Sequence, residues 1–232
     1  MPITTVVFDL DGTLVDTAPD LTSALNHALA YLGRPPVDPA SVRKMVGHGA
    51  RRLVERGLAM TGRSTSDLVD EGVSAFLAHY RANIAAQSQP FPFVEEALDL
   101  LAARGARLAV CTNKPEKLAI ALIGALGWEG RFAAVLGADS RPYRKPDPRH
   151  LLETIAAADG TPAGSAYVGD SRTDSDTALA ARVPFVFVTH GYADEEPEGV
   201  PADVRIDGFE ALQVALARIQ GEFTRRRTLG GP

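Results

Sequence analysis

Four short stretches of the chain each follow an apolar run and end in side chains suited to handling a phosphoryl group. The first is Val6-Val7-Phe8-Asp9-Leu10-Asp11-Gly12-Thr13. Two carboxylates separated by one residue point to the same side while the chain is extended. A carboxylate can attack phosphorus to form an aspartyl phosphate, which divides a hard hydrolysis into two easier steps. The second carboxyl can protonate the departing alcohol and then take a proton from water. Gly12 allows the sharp turn that follows. Taken alone, an Asp-x-Asp is better explained as a solvated acidic turn.

The other three stretches supply what such an attack needs. In Val110-Cys111-Thr112-Asn113-Lys114, the Thr112 hydroxyl and free backbone N–H groups beyond a buried strand can hold phosphate oxygens. A helix cap before Pro115 accounts for Thr112 and Asn113 equally well. In Arg144-Lys145-Pro146-Asp147, Lys145 could neutralise charge on both the phosphoryl group and Asp9, although most lysines are simply solvated. In Tyr167-Val168-Gly169-Asp170-Ser171-Arg172-Thr173-Asp174, Asp170 at a strand terminus suits Mg²⁺, which takes few protein oxygens and keeps several waters. Asp174 falls one turn into the next helix, where an acid is also favoured by the helix dipole.

Residues this far apart in sequence converge only if the elements that carry them are parallel strands. In open α/β sheets, ligands bind beyond the carboxyl ends of the strands. The pattern predicts strands at Val6–Phe8, Leu108–Cys111, Ala133–Leu136, Ala166–Val168 and Phe185–Val188, each brief and followed by polar or turn residues. Amphipathic segments lie between them. One carries Val94, Ala97, Leu98 and Leu101 and stops at Gly105; another opens on Asp147-Pro148, a cap with proline in the first turn. Strands alternating with helices give an α/β fold, a Rossmann-like doubly wound parallel sheet. The alternation breaks once. From Gly12 to about Arg107 no strand is expected, and residues 18–86 show helical spacing instead, as in Val42, Met45, Val46, Leu53, Val54 and Leu58. We therefore expect a catalytic core of 1–15 and 90–221, an α-helical cap inserted over 16–89 with Gln89-Pro90-Phe91-Pro92 as the return hinge, and a flexible tail over 222–232.

Bulk composition excludes several classes. The chain has 232 residues, enough for a core with a modest second unit, and a formal charge of −5, so nothing suggests a nucleic acid or acidic-membrane partner. No apolar stretch is long enough to span a bilayer and no secretory leader is visible, which makes the cytoplasm the expected location. The single cysteine, Cys111, cannot form an intrachain disulfide and sits in an apolar run, as an inert thiol would. Monomer and homodimer are both open.

The four stretches, in this order and each after a strand-like run, resemble the four-motif pattern of the haloacid dehalogenase-like superfamily, and Asp9-Leu10-Asp11-Gly12-Thr13 matches its signature directly. The resemblance covers nearly the whole chain. It implies Asp9 as nucleophile, Asp11 as general acid/base, Thr112 and Asn113 as phosphate-binding residues, and Lys145 as the charge-balancing lysine. It also implies Mg²⁺ held by Asp9, the Asp11 backbone carbonyl and Asp170, with Asp174 in support. Dehalogenases of the superfamily lack the second aspartate, so Asp11 points to phosphate chemistry on a small phosphorylated metabolite.

Within the superfamily, Gly33-Arg34-Pro35-Pro36-Val37, the stretch Val42–Leu53 and the form Gly169-Asp170-Ser171-Arg172 resemble bacterial phosphoglycolate phosphatases. Phosphoglycolate carries a carboxylate beside its phosphate, which a cationic cap would suit. Arg43, Lys44, His48 or Arg51 could supply that charge; alternatively, these residues form the wet faces of two amphipathic helices. The family usually reads Pro-x-Pro-Gly after the cap, and here Phe93 stands in place of the glycine, which is expected to reshape the pocket. A β-phosphoglucomutase-like phosphomutase would use the same first-motif aspartates. A non-catalytic phosphate-binding protein would have lost at least one chemical residue, and none is missing.

Overall fold

The computed structural model describes residues 2–193 and 196–229, with side chains as far as residue 221. In chain order the elements begin with β1 (Thr5–Phe8), β2 (Val15–Asp16), α1 (Ala18–Tyr31), α2 (Pro39–Arg43), α3 (Ala50–Thr61), α4 (Ser66–Ala82) and β3 (Gln89–Pro90). They continue with α5 (Val94–Ala103), β4 (Arg107–Cys111), α6 (Glu116–Ala125), β5 (Ala134–Leu136), α7 (Pro148–Ala157) and β6 (Ser165–Gly169). The last are α8 (Arg172–Ala181), β7 (Phe185–Val188), β8 (Val204–Ile206) and α9 (Leu212–Leu229).

Six strands form one parallel sheet in the order β5-β4-β1-β6-β7-β8. Successive side chains on each strand serve opposite faces. Val6, Phe8, Leu108, Val110, Ala166 and Val168 pack with residues of α5, α6 and α9 on one side. Val7, Ala109, Cys111 and Tyr167 pack with α7 and α8 on the other. This is the doubly wound core the alternation predicts. Asp147 caps α7 by accepting from the Arg149 N–H, with Pro148 in the first turn, as expected.

Two local expectations fail. Val15–Asp16 and Gln89–Pro90 pair as a short antiparallel ribbon at the root of the insertion, although no strand was expected between Gly12 and Arg107; two residues are too few to show a period. The edge strand β8 was also missed, for the same reason, since its pattern is only buried-exposed-buried over Val204, Arg205 and Ile206. The last helix, α9, runs to Leu229, into the stretch from residue 222 that the sequence reading treats as a tail. The helix passes through Gly221, and Gly230-Gly231-Pro232 lie outside the described part of the chain.

Helices α1–α4 have a core of their own, built on Leu21, Leu25, Leu29, Leu53, Leu58, Phe76 and Tyr80, with Leu118 of α6 joining from the sheet side. One buried carboxylate ties the start of this insertion to its end. Asp20, on the first turn of α1, accepts from the backbone N–H groups of Gln87 (3.0 Å) and Ser88 (2.8 Å) and from the Ser88 hydroxyl (2.6 Å). Phe93, which the sequence marks as an oddity, adopts a left-handed φ of 62°. That conformation favours glycine, which explains the family preference. Its ring is half exposed and is not among the residues lining the cavity beside Asp9, so the pocket is not reshaped by it.

Replacing Asp20 with alanine leaves two backbone N–H groups unpaired. We expect Asp20→Ala to cost about 2–4 kcal/mol in urea unfolding, with hydrogen exchange rising in residues 18–31 and 83–89 rather than in the sheet.

Candidate active site

Because β4, β1 and β6 are neighbours in the sheet, their carboxyl ends bring the first, second and fourth stretches side by side. Lys145 reaches the same point from the loop between β5 and α7. Its Nζ lies 3.0 Å from Asp9 Oδ1 and 2.6 Å from Asp174 Oδ1, and it donates to the Tyr167 hydroxyl at 2.9 Å. The Leu10 N–H also donates to Asp9 Oδ1, at 2.7 Å. Both contacts fall on one oxygen, which makes Oδ2 the atom suited to attack. Burial, only partly offset by Lys145, pushes the Asp9 carboxyl up to about 6.

Asp170 is fixed from two sides. The Thr13 hydroxyl donates to its Oδ1 at 2.6 Å and the Tyr192 N–H to its Oδ2 at 2.7 Å. Even so, burial and the neighbouring Asp174 and Asp9 raise it well above the carboxylate range. Gly12 makes this approach feasible: its φ is +85°, and a Cβ there would lie 2.4 Å from Asp170 Oδ2. Asp174 differs in kind. It closes a capping box with Ser171 at the start of α8, and its oxygens are taken by Lys145, Tyr167 (2.6 Å) and Ser171. Although burial opposes it, Lys145 holds Asp174 below the usual range. Gly169 permits the close packing, since a Cβ would stand 2.6 Å from that of Asp174.

Asp9, Asp170 and Asp174 each offer an oxygen within 4.8 Å of the others, all buried. Asp174 has both oxygens engaged by Lys145, Tyr167 and Ser171, which leaves Asp9 and Asp170 as the pair whose carboxyls are raised by burial. Two buried carboxylates raised by desolvation are the donor set that a hard divalent cation fits.

Asp11 lies beyond Asp9, its Oδ1 accepting from Lys114 Nζ at 2.8 Å. Thr112 lines the same cavity, and its hydroxyl accepts from the Lys114 N–H at 3.2 Å. Asn113 donates its side-chain amide to the carbonyls of Gly47 and Lys145, both at 3.2 Å. Those donors are spent, so a phosphate could meet Asn113 only at its backbone.

The cavity, about 40 Å³, lies between the insertion and the sheet. It is lined by Asp9, Asp11, Thr112 and Lys114 below and by Val46, Gly47, Leu53, Phe76 and Tyr80 above. None of the four cationic candidates on the insertion lines it. Arg43 pairs with Asp16 at 3.2 Å and stacks over Tyr192. Lys44 is exposed, and Arg51 pairs with Asp70 and Glu55 on the surface. His48 borders a separate cleft with Arg52, Arg56, Arg144 and Lys145. Helical spacing cannot tell which face of a helix meets the sheet, and Arg43, Lys44 and Arg51 turn away from the cavity. Lys114 and Tyr80 were not singled out. Lys114 stands within a quoted stretch, whereas Tyr80 reaches the site only through packing of α4.

The comparisons agree with this geometry. The family model for haloacid dehalogenase-like hydrolases matches residues 3–182, and the chain belongs to that family. It is 48% identical over 213 residues to a phosphoglycolate phosphatase of Mesorhizobium japonicum, covering 91% of this chain and 94% of the relative. A second, from Agrobacterium fabrum, is 44% identical over 211 residues, with 90% and 91% covered. The crystal structure of a predicted phosphoglycolate phosphatase from Haemophilus somnus 129pt superposes with a TM-score of 0.86 at 31% identity, covering 91% of this chain and 97% of that one. The chain is an enzyme, a phosphoric monoester hydrolase of the phosphoglycolate phosphatase-like type. No helix among the described residues is long and apolar enough to cross a membrane.

Beneath the site, His150 is fully buried on α7, with Nε2 3.1 Å from the Gly137 carbonyl and Nδ1 3.6 Å from Cys111 Sγ. Burial pushes the Cys111 thiol up to about 12, so it stays protonated and inert. Burial and the Lys145 ammonium hold His150 down to about 4. The unfolded chain therefore takes up this proton first, near pH 6.5. The contribution of neutral His150 is fully present above that pH and is lost as pH falls toward 4, by up to about 3 kcal/mol. The raised Asp9 and Asp170 carboxyls give a slope of opposite sign, so the His150 contribution is read as the difference between wild type and His150→Gln in urea unfolding followed by Trp128 fluorescence, which should shrink as pH falls from 7.5 to 4.5.

Proposed function

We propose that the chain hydrolyses a small phosphate monoester, 2-phosphoglycolate, with Asp9 as nucleophile and Asp11 as general acid/base. The observation that carries the reading is the pairing of a buried Asp9, held on one oxygen by Lys145, with a second carboxyl, Asp11, at the mouth of the same cavity. Asp9 Oδ2 attacks phosphorus while Asp11 delivers a proton to the bridging oxygen, and glycolate leaves. Asp11 then accepts a proton from water, which attacks the aspartyl phosphate and frees Asp9. Lys145 faces the transferring group with its charge already oriented by Asp174 and Tyr167, so no reorganisation is needed as negative charge shifts. Thr112 and backbone N–H groups after β4 would hold phosphate oxygens.

Asp9, Asp170 and the Asp11 carbonyl would hold Mg²⁺, which supplies charge neutralisation to the phosphoryl oxygens. The elevated Asp9 and Asp170 carboxyls support this choice of ligands. The helical insertion over 16–89 acts as a cap on a core of 1–15 and 90–221. The cavity between insertion and sheet is small, about 40 Å³; on this reading the cap moves aside to admit substrate and closes to exclude solvent. A soluble, cytoplasmic enzyme acting on a small metabolite fits a chain with net negative charge.

The test is phosphate release from 2-phosphoglycolate, sugar phosphates, nucleoside monophosphates and pyrophosphate, with and without Mg²⁺. We expect 2-phosphoglycolate to be preferred, chelation to abolish turnover, Asp9→Asn to lower kcat at least about 10³-fold, and Asp11→Asn about 10²–10⁴-fold. Turnover of other esters alone would discard the substrate and keep the mechanism. Isotopic transfer of phosphate to a sugar phosphate instead of water would make the chain a mutase.

A further inference from the structure

The cation that the cap was expected to supply is present in the cavity, but the core supplies it. Lys114 is 5% exposed and is the only lysine or arginine among the residues lining the cavity. Its Nζ donates to Asp11 Oδ1 at 2.8 Å and to the Tyr80 hydroxyl at 2.6 Å, and lies 4.5 Å from the centroid of the Tyr80 ring. An ammonium has three donors, of which these partners take two. Around it the walls are apolar: Leu21, Val46, Leu53, Phe76 and Leu118.

The position of this charge relative to Asp11 is informative. Asp11 must reach the ester's bridging oxygen to protonate it. In the phosphate ester of a 2-hydroxy acid, the carboxylate is separated from that oxygen by a single carbon. A cation hydrogen-bonded to Asp11 is therefore beside the carboxylate of such a leaving group. During proton transfer Asp11 exchanges Lys114 for the bridging oxygen, and the incoming carboxylate gives Lys114 a new partner. We propose that Lys114, with the Tyr80 hydroxyl, forms the carboxylate subsite and selects phosphate esters of short 2-hydroxy acids. The proposal rests on the phosphatase reading above and deepens it. Polyhydroxylated sugars would leave hydroxyls unpaired against Leu53, Phe76 and Leu118. Because Tyr80 belongs to α4 and Lys114 follows β4, the subsite is complete only when the insertion lies against the core.

Steady-state kinetics with 2-phosphoglycolate and ethyl phosphate, which carries a methyl group in place of the carboxylate, test the idea. The quantity read is the ratio of the two kcat/KM values. In the wild type we expect it to exceed about 100. Lys114→Met retains most of the buried stem; through Asp11 it lowers both rates, but it should cut the ratio at least about tenfold, as loss of a hydrogen bond to a charged group does, with KM for 2-phosphoglycolate rising. Tyr80→Phe should reduce the ratio about threefold. A ratio unchanged in Lys114→Met would make Lys114 only a positioning residue for Asp11 and overturn the subsite. Should that variant not fold, the wild-type ratio decides, and a value near one overturns the proposal. Wild-type turnover of neither ester, with other monoesters hydrolysed, would remove 2-phosphoglycolate as the substrate and the subsite with it, whereas turnover of both at similar kcat/KM removes the subsite alone.

Discussion

Three aspartates, Asp9, Asp170 and Asp174, are buried within a few ångströms of one another at the end of a hydrophobic sheet, and their mutual repulsion is the problem the surrounding structure has to solve. Lys145 is the main answer. It is buried with them and bonded to two of the three, and those two carboxylates keep its ammonium firmly protonated despite burial. The arrangement is costly in isolation, since burying ion pairs gains little over apolar packing. Its value is that every member is held in place. Asp174 is fixed by Tyr167 and the α8 cap, and Asp170 by Thr13 and Tyr192, so the one incompletely satisfied carboxylate is Asp9, the group asked to react.

That fixing depends on elements far from each other in the chain. Thr13 belongs to the turn after β1, Tyr192 to the loop after β7, and Tyr167 to β6. The Tyr192 hydroxyl also reaches the insertion, accepting from the Ala18 N–H at 2.9 Å and donating to Asp16 at 2.6 Å. The residue whose backbone steadies Asp170 is therefore also a contact of the α1 root. Asn113 makes a second such link through Gly47, and Lys114 a third through Tyr80. Three hydrogen-bonded ties run from the insertion to residues next to the reacting groups, so the position of the helical unit and the order of the site are physically coupled.

The insertion contributes shape more than charge. Its surface toward the cavity is apolar, and its arginines turn to solvent or to the Asp16 root. An apolar lid over a buried ammonium strengthens that ammonium's interaction with any anion it meets, because little water remains to screen it.

What the sequence by itself determined are features with local causes. Apolar runs of three or four residues are legible as buried strands with polar ends, and the Asp147-Pro148 cap follows from backbone donors that need partners at helix starts. Asp9, Asp11, Thr112, Asp170 and Asp174 were readable as candidates for that reason, each near an element end, whereas Lys145, in the loop between β5 and α7, stood out only through the family resemblance. The tertiary structure alone decided which faces of α2–α4 meet the sheet, and so excluded Arg43, Lys44 and Arg51 from the cavity and admitted Tyr80. It also showed that Lys114 is buried against Asp11 and that Asn113 spends its amide on two carbonyls. Periodicity shows that a helix has an apolar face but not what that face is laid against, because the rotation and docking of a helix are set by packing among residues distant in sequence.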